Sequence, residues 1–163
     1  MIPLNLVDEL VAFLTEGFKN YQLPTNKKTV KPPQIVGGFL PPKNSPASVE
    51  PDFPYIIVRL MKGEDELQVS NKGGQSQAYI RFIFGTYSED HQGWRELANI
   101  MEHTRQLLLK NRTIGRKFCL KEKIKWDIPE DQPYPEWVGT METIWLIAQP
   151  QEEVLHFGEV FID

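Results

Sequence analysis

Residues 76–88, SQAYIRFIFGTYS, alternate without a break, with Ala78, Ile80, Phe82 and Phe84 on one face and Tyr79, Arg81 and Ile83 on the other. A period of two is the repeat of an extended strand, so the chain must build a sheet. Residues 55–61, YIIVRLM, repeat the pattern with Ile56, Val58 and Leu60 against Tyr55, Ile57 and Arg59. Between the two lie polar residues and the turn glycines Gly63, Gly73 and Gly74.

Two more segments read as strands. Residues 118–126, FCLKEKIKW, set Phe118, Leu120, Ile124 and Trp126 against Cys119, Lys121, Lys123 and Lys125. Residues 139–149 set Met141, Thr143, Trp145 and Ile147 opposite Thr140, Glu142, Ile144 and Leu146. Helical spacing appears twice. In residues 4–19 it joins Val7, Leu10, Val11, Leu14 and Phe18, with Asp8 and Glu9 placed in the first turn. The second helix takes Ser88 as its N-cap, Glu89, Asp90 and His91 in its first turn, and a buried stripe of Trp94, Leu97, Ala98, Met101 and Leu108, running to about Lys110.

The order helix, strands, helix, strands, with short links that favour antiparallel pairing, predicts an α+β fold. The expected architecture is an antiparallel or mixed sheet with two main helices packed on one face. Residues 20–54 hold eight prolines, which exclude a helix and leave room for one short strand, QIVGGFL. Part of this long loop is expected to order against a neighbour. The 163 residues read as a single domain: helix to residue 20, proline-rich loop 20–54, sheet and second helix 55–150, and acidic tail 151–163.

Catalytic signatures are missing from this pattern. His91, His103 and His156 show no metal-ligand spacing, and His103 reads as exposed. Cys119, the single cysteine, reads as a buried structural thiol. There is no GxSxG, no Walker loop and no GxGxxG, and the glycine turn NKGGQS lacks the following helix that a phosphate cradle needs. The expectation is a non-enzyme without cofactor or metal. No apolar run reaches the ~18 residues of a membrane span, and the N-terminus carries carboxylates where a signal peptide carries lysines, so a cytoplasmic protein without a membrane partner is expected.

Charge is unevenly distributed along the chain. Residues 112–126 hold six basic side chains and one Glu, whereas residues 127–163 hold nine carboxylates and neither Lys nor Arg. Lys121, Lys123 and Lys125 share one face, where they suit edge protection or a cross-strand salt bridge to Glu142, and after that a protein contact. With a pI near 5.5, the chain is too acidic to point to nucleic acid. Residues 126–137, WDIPEDQPYPEW, join two strands, and their prolines stiffen the connection. This stretch reads first as a rigid corner folded back on the sheet and second as a docking edge for another chain. The candidate protein–protein contact residues are Lys121, Lys123, Lys125, Asp127, Glu130, Asp131, Tyr134 and Trp137.

The succession VGGFLPPK at 36–43, DFPYIIVRLMKGEDE at 52–66, IRFIFGTYSEDHQGWRELANIMEHTRQLLL at 80–109 and WDIPEDQPYPEWVGTMETIW at 126–145 resembles the tail terminator, or tail completion, proteins of long-tailed bacteriophages and prophages. Phe53-Pro54, Gly85-Thr86-Tyr87, Gly93-Trp94 and the 126–137 turn stand in the family's order. The resemblance implies a structural virion subunit without a catalytic site. It would form a ring, six-membered in the family, that caps the tail tube, ends its polymerisation and offers the surface to which the head connector joins. Its implied partners are further copies of itself, the tail tube protein and the head–tail connector. Its implied place is the head-proximal end of the tail, assembled in a bacterial cytoplasm. A neck or head-completion connector of the same particle is the alternative. In the ring reading, the basic strand and the acidic segment from Asp127 are expected to meet across the subunit boundary.

Overall fold

A computed structural model describes residues 3–25, 28–40, 52–67 and 74–150. The acidic tail and the middle of the proline-rich loop lie outside the described residues. The fold is α+β, as expected: two helices and a mostly antiparallel, mixed sheet. Along the chain run α1 (Pro3–Phe18), β1 (Leu23–Pro24), β2 (Val30–Lys31), β3 (Gln34–Gly37), β4 (Tyr55–Glu66), β5 (Gln75–Tyr87), α2 (Trp94–Lys110), β6 (Thr113–Ile114), β7 (Phe118–Leu120), β8 (Lys125–Asp127) and β9 (Glu136–Ile147).

The main sheet has the order β3-β4-β5-β9-β7-β6, with β8 also paired to β9. β3 lies parallel to β4, and the other pairings are antiparallel. The strand expected at QIVGGFL is therefore real, though it ends at Gly37. β1 and β2 form a separate two-stranded ribbon within the proline-rich region, which places Leu23 in the core.

Both helices cover the face on which Ile56, Val58, Ala78, Ile80, Phe82, Phe84, Met141 and Trp145 project. Leu6, Leu10, Leu14 and Phe18 descend from α1, and Leu97, Ile100, Met101 and Leu108 from α2. At about 25 cal/mol per Å² of apolar surface removed from water, this one continuous cluster is the main source of stability. The helices also meet each other. His103 Nε2 lies 2.9 Å from the Gly17 carbonyl oxygen, and its ring stacks on Tyr21 at 4.8 Å and meets the Phe18 ring edge-on at 4.5 Å. His103 is thus half-buried rather than exposed, because the end of α1 passes over it.

Several boundaries differ from expectation. α1 starts at Pro3, a residue suited to the first helical position, which moves Asp8 and Glu9 out of the first turn. α2 begins at Trp94 with Gly93 as N-cap. The Ser88 hydroxyl instead accepts from the Asp90 N–H at 3.2 Å, and the Asp90 carboxylate accepts from the Gln92 N–H at 3.0 Å. Such local side-chain bonds stabilise turns in place of helix, so His91 sits in an exposed turn before α2. Trp94, expected in the buried stripe, is 42% exposed, and Ile100 takes the inward position.

The strand expected over 118–126 is broken in two. Leu120 pairs with Trp145 and Lys125 with Glu142, so two extra residues are accommodated on this strand relative to β9. Cys119 is exposed, contrary to expectation, because Phe118 and Leu120 take the helix-covered face and leave Cys119 on the other. The tight link from β6 to β7 places Gly115 and Arg116 at positive φ, 60° each.

A second, smaller cluster occupies one end of the helix-free face. Phe53, Tyr55 and Ile57 are buried there, with Val36, Leu40, Ile83 and Tyr87 packed around them. Both flanks of the proline-rich loop thus order against the sheet, as expected for part of it. Burial is the main cause that raises the Tyr55 phenol above its ordinary pKa, followed by the nearby Glu136 carboxylate, while Arg59 pulls the other way. Gly85, opposite Tyr55 in the register, leaves the space for its ring, since a Cβ there would lie 2.2 Å from Tyr55 Cε2. Gly85→Ala is expected to lower stability by about 1–3 kcal/mol in urea unfolding, the usual cost of overpacking. Most of that loss should disappear in a Tyr55→Ala background, where the clash is gone.

Candidate protein–protein interface

The 126–137 stretch is a built corner. Gln132 holds it: its Nε2 donates to the carbonyls of Pro129 at 2.7 Å and Val138 at 3.0 Å, and its Oε1 accepts from the Val138 N–H at 2.7 Å. The side-chain amide therefore supplies the bonds a neighbouring strand would give. Trp137 Nε1 donates to the Ser88 carbonyl at 3.0 Å, the Tyr134 hydroxyl donates to the Glu89 carbonyl, and the Ser88 N–H donates to the Pro135 carbonyl at 3.0 Å. The Tyr134 and Trp137 rings meet at 90° with centroids 6.1 Å apart. Gly93 lets Trp137 approach, since a Cβ there would lie 2.4 Å from its Nε1.

Tyr134 and Trp137 are thus engaged within the chain, clamping the loop that leads into α2. This is the rigid corner expected first. Trp137 is half-buried, while Tyr134, Asp127, Glu130 and Asp131 face solvent. The eight candidate residues do not form one patch. Asp127 lies on β8 opposite Thr140, and Glu130 and Asp131 stand at the turn of the corner.

The lysines belong elsewhere. Lys123 and Lys125 line a groove of about 370 Å³ on the helix-free face, together with Lys62, Arg81, Tyr79 and Glu142. Lys121 is half-buried, its backbone N–H donates to the Ile144 carbonyl at 2.8 Å, and it is not part of the groove lining. The row of three expected from strict alternation is therefore a pair, because the chain departs from β9 between Leu120 and Lys125.

Lys62 reaches the groove through an irregularity in β4. Leu60 pairs with Ile80 and Lys62 with Tyr79, so Met61 is an extra residue that switches the face of everything after it. Lys62 Nζ then lies 4.6 Å from the Tyr79 ring centroid, a cation–π distance. Lys125 stands opposite Glu142, as expected, but the Glu142 carboxylate pairs with Arg81 on the other neighbouring strand at 2.7 Å. Four cations face one carboxylate in this groove, which gives it a net positive field.

Two apolar patches lie towards opposite edges of the sheet. On the β3–β4 side, Leu4, Phe39 and Leu60 line a shallow depression that also includes Asp8 and Arg59. Phe39 is 72% exposed, and the Arg59 guanidinium carbon stands 4.1 Å from its ring centroid. On the β8 side, Trp126 is 59% exposed and borders a groove of about 240 Å³ with Ala98, Met101 and Ile128. In the alternation of residues 118–126 it shares a side with Phe118 and Leu120, which are buried. It projects to the helix side, opposite Met141, but at an edge strand only part of its indole is covered. Beside this groove, a hydrogen bond from Gln106, followed by the Arg105 charge, holds the Glu102 carboxyl below its ordinary pKa.

Trp126 and Gln132 lay within the 126–137 stretch but were not singled out from the sequence, and neither Phe39 nor Lys62 was marked there as a candidate contact residue. Only Arg81 and Tyr79 carried a visible signal, as outward members of the β5 alternation. Among the described residues, no group of three His, Cys, Asp or Glu side chains is arranged to hold a metal ion. No described helix is long and apolar enough to cross a membrane. No protein-family model and no curated protein matches this chain.

Proposed function

We propose that this chain is a structural ring subunit of a phage-type tail, a tail terminator that caps the tube, ends its polymerisation and presents the head-joining surface. The observation that carries this reading is the pair of unlike apolar patches towards the two edges of one sheet: Phe39 with Leu4 and Leu60 on one side, Trp126 over the α2–β8 groove on the other. An isologous dimer needs one self-complementary patch, whereas a closed ring needs two different patches that meet head to tail. Exposed aromatic anchors beside apolar pockets are the usual centres of such contacts. The motif order from residue 36 to 145 and the α+β architecture agree with this reading.

The test is the solution mass of the purified protein over a concentration series, alone and with tail tube protein, together with tube lengths in electron micrographs. A discrete ring, free or on tube ends, with tube growth halted, is expected. A monomer that leaves tube growth unchanged would overturn the reading. A ring that ignores tubes but binds the portal side would replace it with the neck connector.

A further inference from the structure

We propose that the cationic groove of Lys62, Arg81, Lys123 and Lys125 receives the acidic C-terminal segment, residues 151–163, of a second copy of this chain. The proposal rests on the ring reading above and names a contact that would tie neighbouring subunits together.

Charge complementarity selects the occupant. The groove sets four cations around one carboxylate, and that carboxylate, Glu142, is already paired with Arg81. Lys62, Lys123 and Lys125 are exposed, and apolar surface from Tyr79 and Ile144 lies between them. The last residues, QEEVLHFGEVFID, carry Glu152, Glu153, Glu159 and Asp163 without Lys or Arg, interleaved with Val154, Leu155, Phe157, Val160, Phe161 and Ile162. Such a segment brings carboxylates to the lysines and apolar side chains to the floor between them.

The earlier acidic residues are poor alternatives, because the fold places them elsewhere. Asp127 and Glu142 lie on β8 and β9, the strands that carry or adjoin Lys125 in the same subunit. Glu130 and Asp131 stand in the corner held by Gln132, and Glu136 begins β9 opposite Tyr87, six residues before Glu142. The acidic partner of the basic segment is thereby narrowed from everything after residue 126 to the last thirteen residues.

The described chain leaves its own groove before the tail begins. β9 passes the groove at Glu142 and Ile144 and continues to Ile147, about 10 Å further on at the usual rise per residue. Gln149 Nε2 then donates to Ser76 Oγ at 3.1 Å, and Pro150 biases Gln149 towards extended geometry. The chain is carried past its own groove, and the segment beyond can extend to about 45 Å, a reach that also covers its own groove, so the ring reading is what selects another copy and isotope mixing separates the two.

Isotope mixing tests the assignment. Equal amounts of full-length labelled and unlabelled protein are unfolded, refolded together and treated at low salt with a carbodiimide, which joins a lysine amine and a carboxylate as an amide with loss of water. Peptides are then read by mass, beside the solution mass of the same sample. Links from Lys62, Lys123 or Lys125 to Glu152, Glu153, Glu159 or Asp163 are expected, about half of them between labelled and unlabelled chains, as random assembly of two equal pools dictates. The links should fade at high salt, since exposed charge pairs are screened.

A ring whose tail links join only chains of the same isotope, or which shows no tail–groove links, overturns this proposal and leaves the ring reading standing. A monomer at every concentration without mixed links overturns both. The variant with Lys123→Glu and Lys125→Glu alters only exposed side chains, so it should keep the native circular dichroism. It should lose the mixed ring at low salt and regain it when Glu152→Lys and Glu153→Lys are added. Failure of that rescue in a folded protein also overturns the proposal.

Discussion

Trp145→Ala is expected to remove about 3–5 kcal/mol of stability, the range for deleting a fully buried large aromatic. Trp145 is the largest side chain in the core and is 0% exposed, on the central strand β9 beneath the helices. Its indole N–H donates to Thr143 Oγ1 at 2.8 Å, and that hydroxyl donates to the Ile80 carbonyl at 3.0 Å. The alanine variant keeps the Thr143–Ile80 bond, so its loss comes chiefly from the cavity and the vanished packing. Total stability of domains this size is commonly about 5–15 kcal/mol, which leaves the variant close to unfolding. Trp145→Phe should cost less, because a ring still fills part of the space. Urea unfolding under monomeric conditions checks this, with the midpoint falling and the slope unchanged.

Trp126→Ala is expected to act in the opposite way, sparing the fold and weakening assembly. With 59% of its surface exposed at an edge strand, Trp126 supports little of the core, and the urea midpoint should shift by no more than about 0.5 kcal/mol in equivalent stability. As the anchor beside the α2–β8 groove, its truncation should cost about 2 kcal/mol or more per subunit contact. That corresponds to a dissociation constant raised about 30-fold, visible as a ring-to-monomer shift in solution mass. Trp94 supplies the control: it is 42% exposed, its ring carries the Arg95 guanidinium at 4.9 Å, and it does not line that groove. Trp94→Ala should leave assembly unchanged. Equal losses from both substitutions would show that Trp126 is not a specific anchor.

The contrast between the two tryptophans shows how far the one-dimensional pattern could be read. Trp126 and Trp145 each stood in an alternating strand, sharing a side with Phe118 and Leu120 in one case and with Met141 and Ile147 in the other. Both do project to the helix side of the sheet, as their register with Met141 and Leu120 shows. Only the position of α2 over the central strands, and of β8 at the edge, decided that one is covered and the other is not. Likewise, the extra residue at Met61 brought Lys62 to the groove, and the break between Leu120 and Lys125 removed Lys121 from it. A bulge leaves no periodic trace when the strand beyond it holds only polar residues and glycine, as residues 62–66 do after Met61. The bonds of Gln132 were equally hidden, since a side-chain amide has no pattern until the turn around it exists.

What the sequence determined by itself was local and periodic: two amphipathic helices, strands at β4, β5 and β9, the short strand β3 between prolines, and hence the α+β class. These follow because side-chain periodicity of two or near 3.6 already states which face must leave water. The uneven placement of charge was equally plain. Tertiary structure alone decided where those charges and aromatics are used. It placed Arg81 between Lys62 and Lys125, and it bonded the exposed Tyr134 and the half-buried Trp137 to the loop before α2. It also left Phe39 and Trp126 bare towards opposite edges of the sheet. Those outcomes depend on pairing between residues far apart in the chain, where a register shift of one residue moves a side chain to the other face.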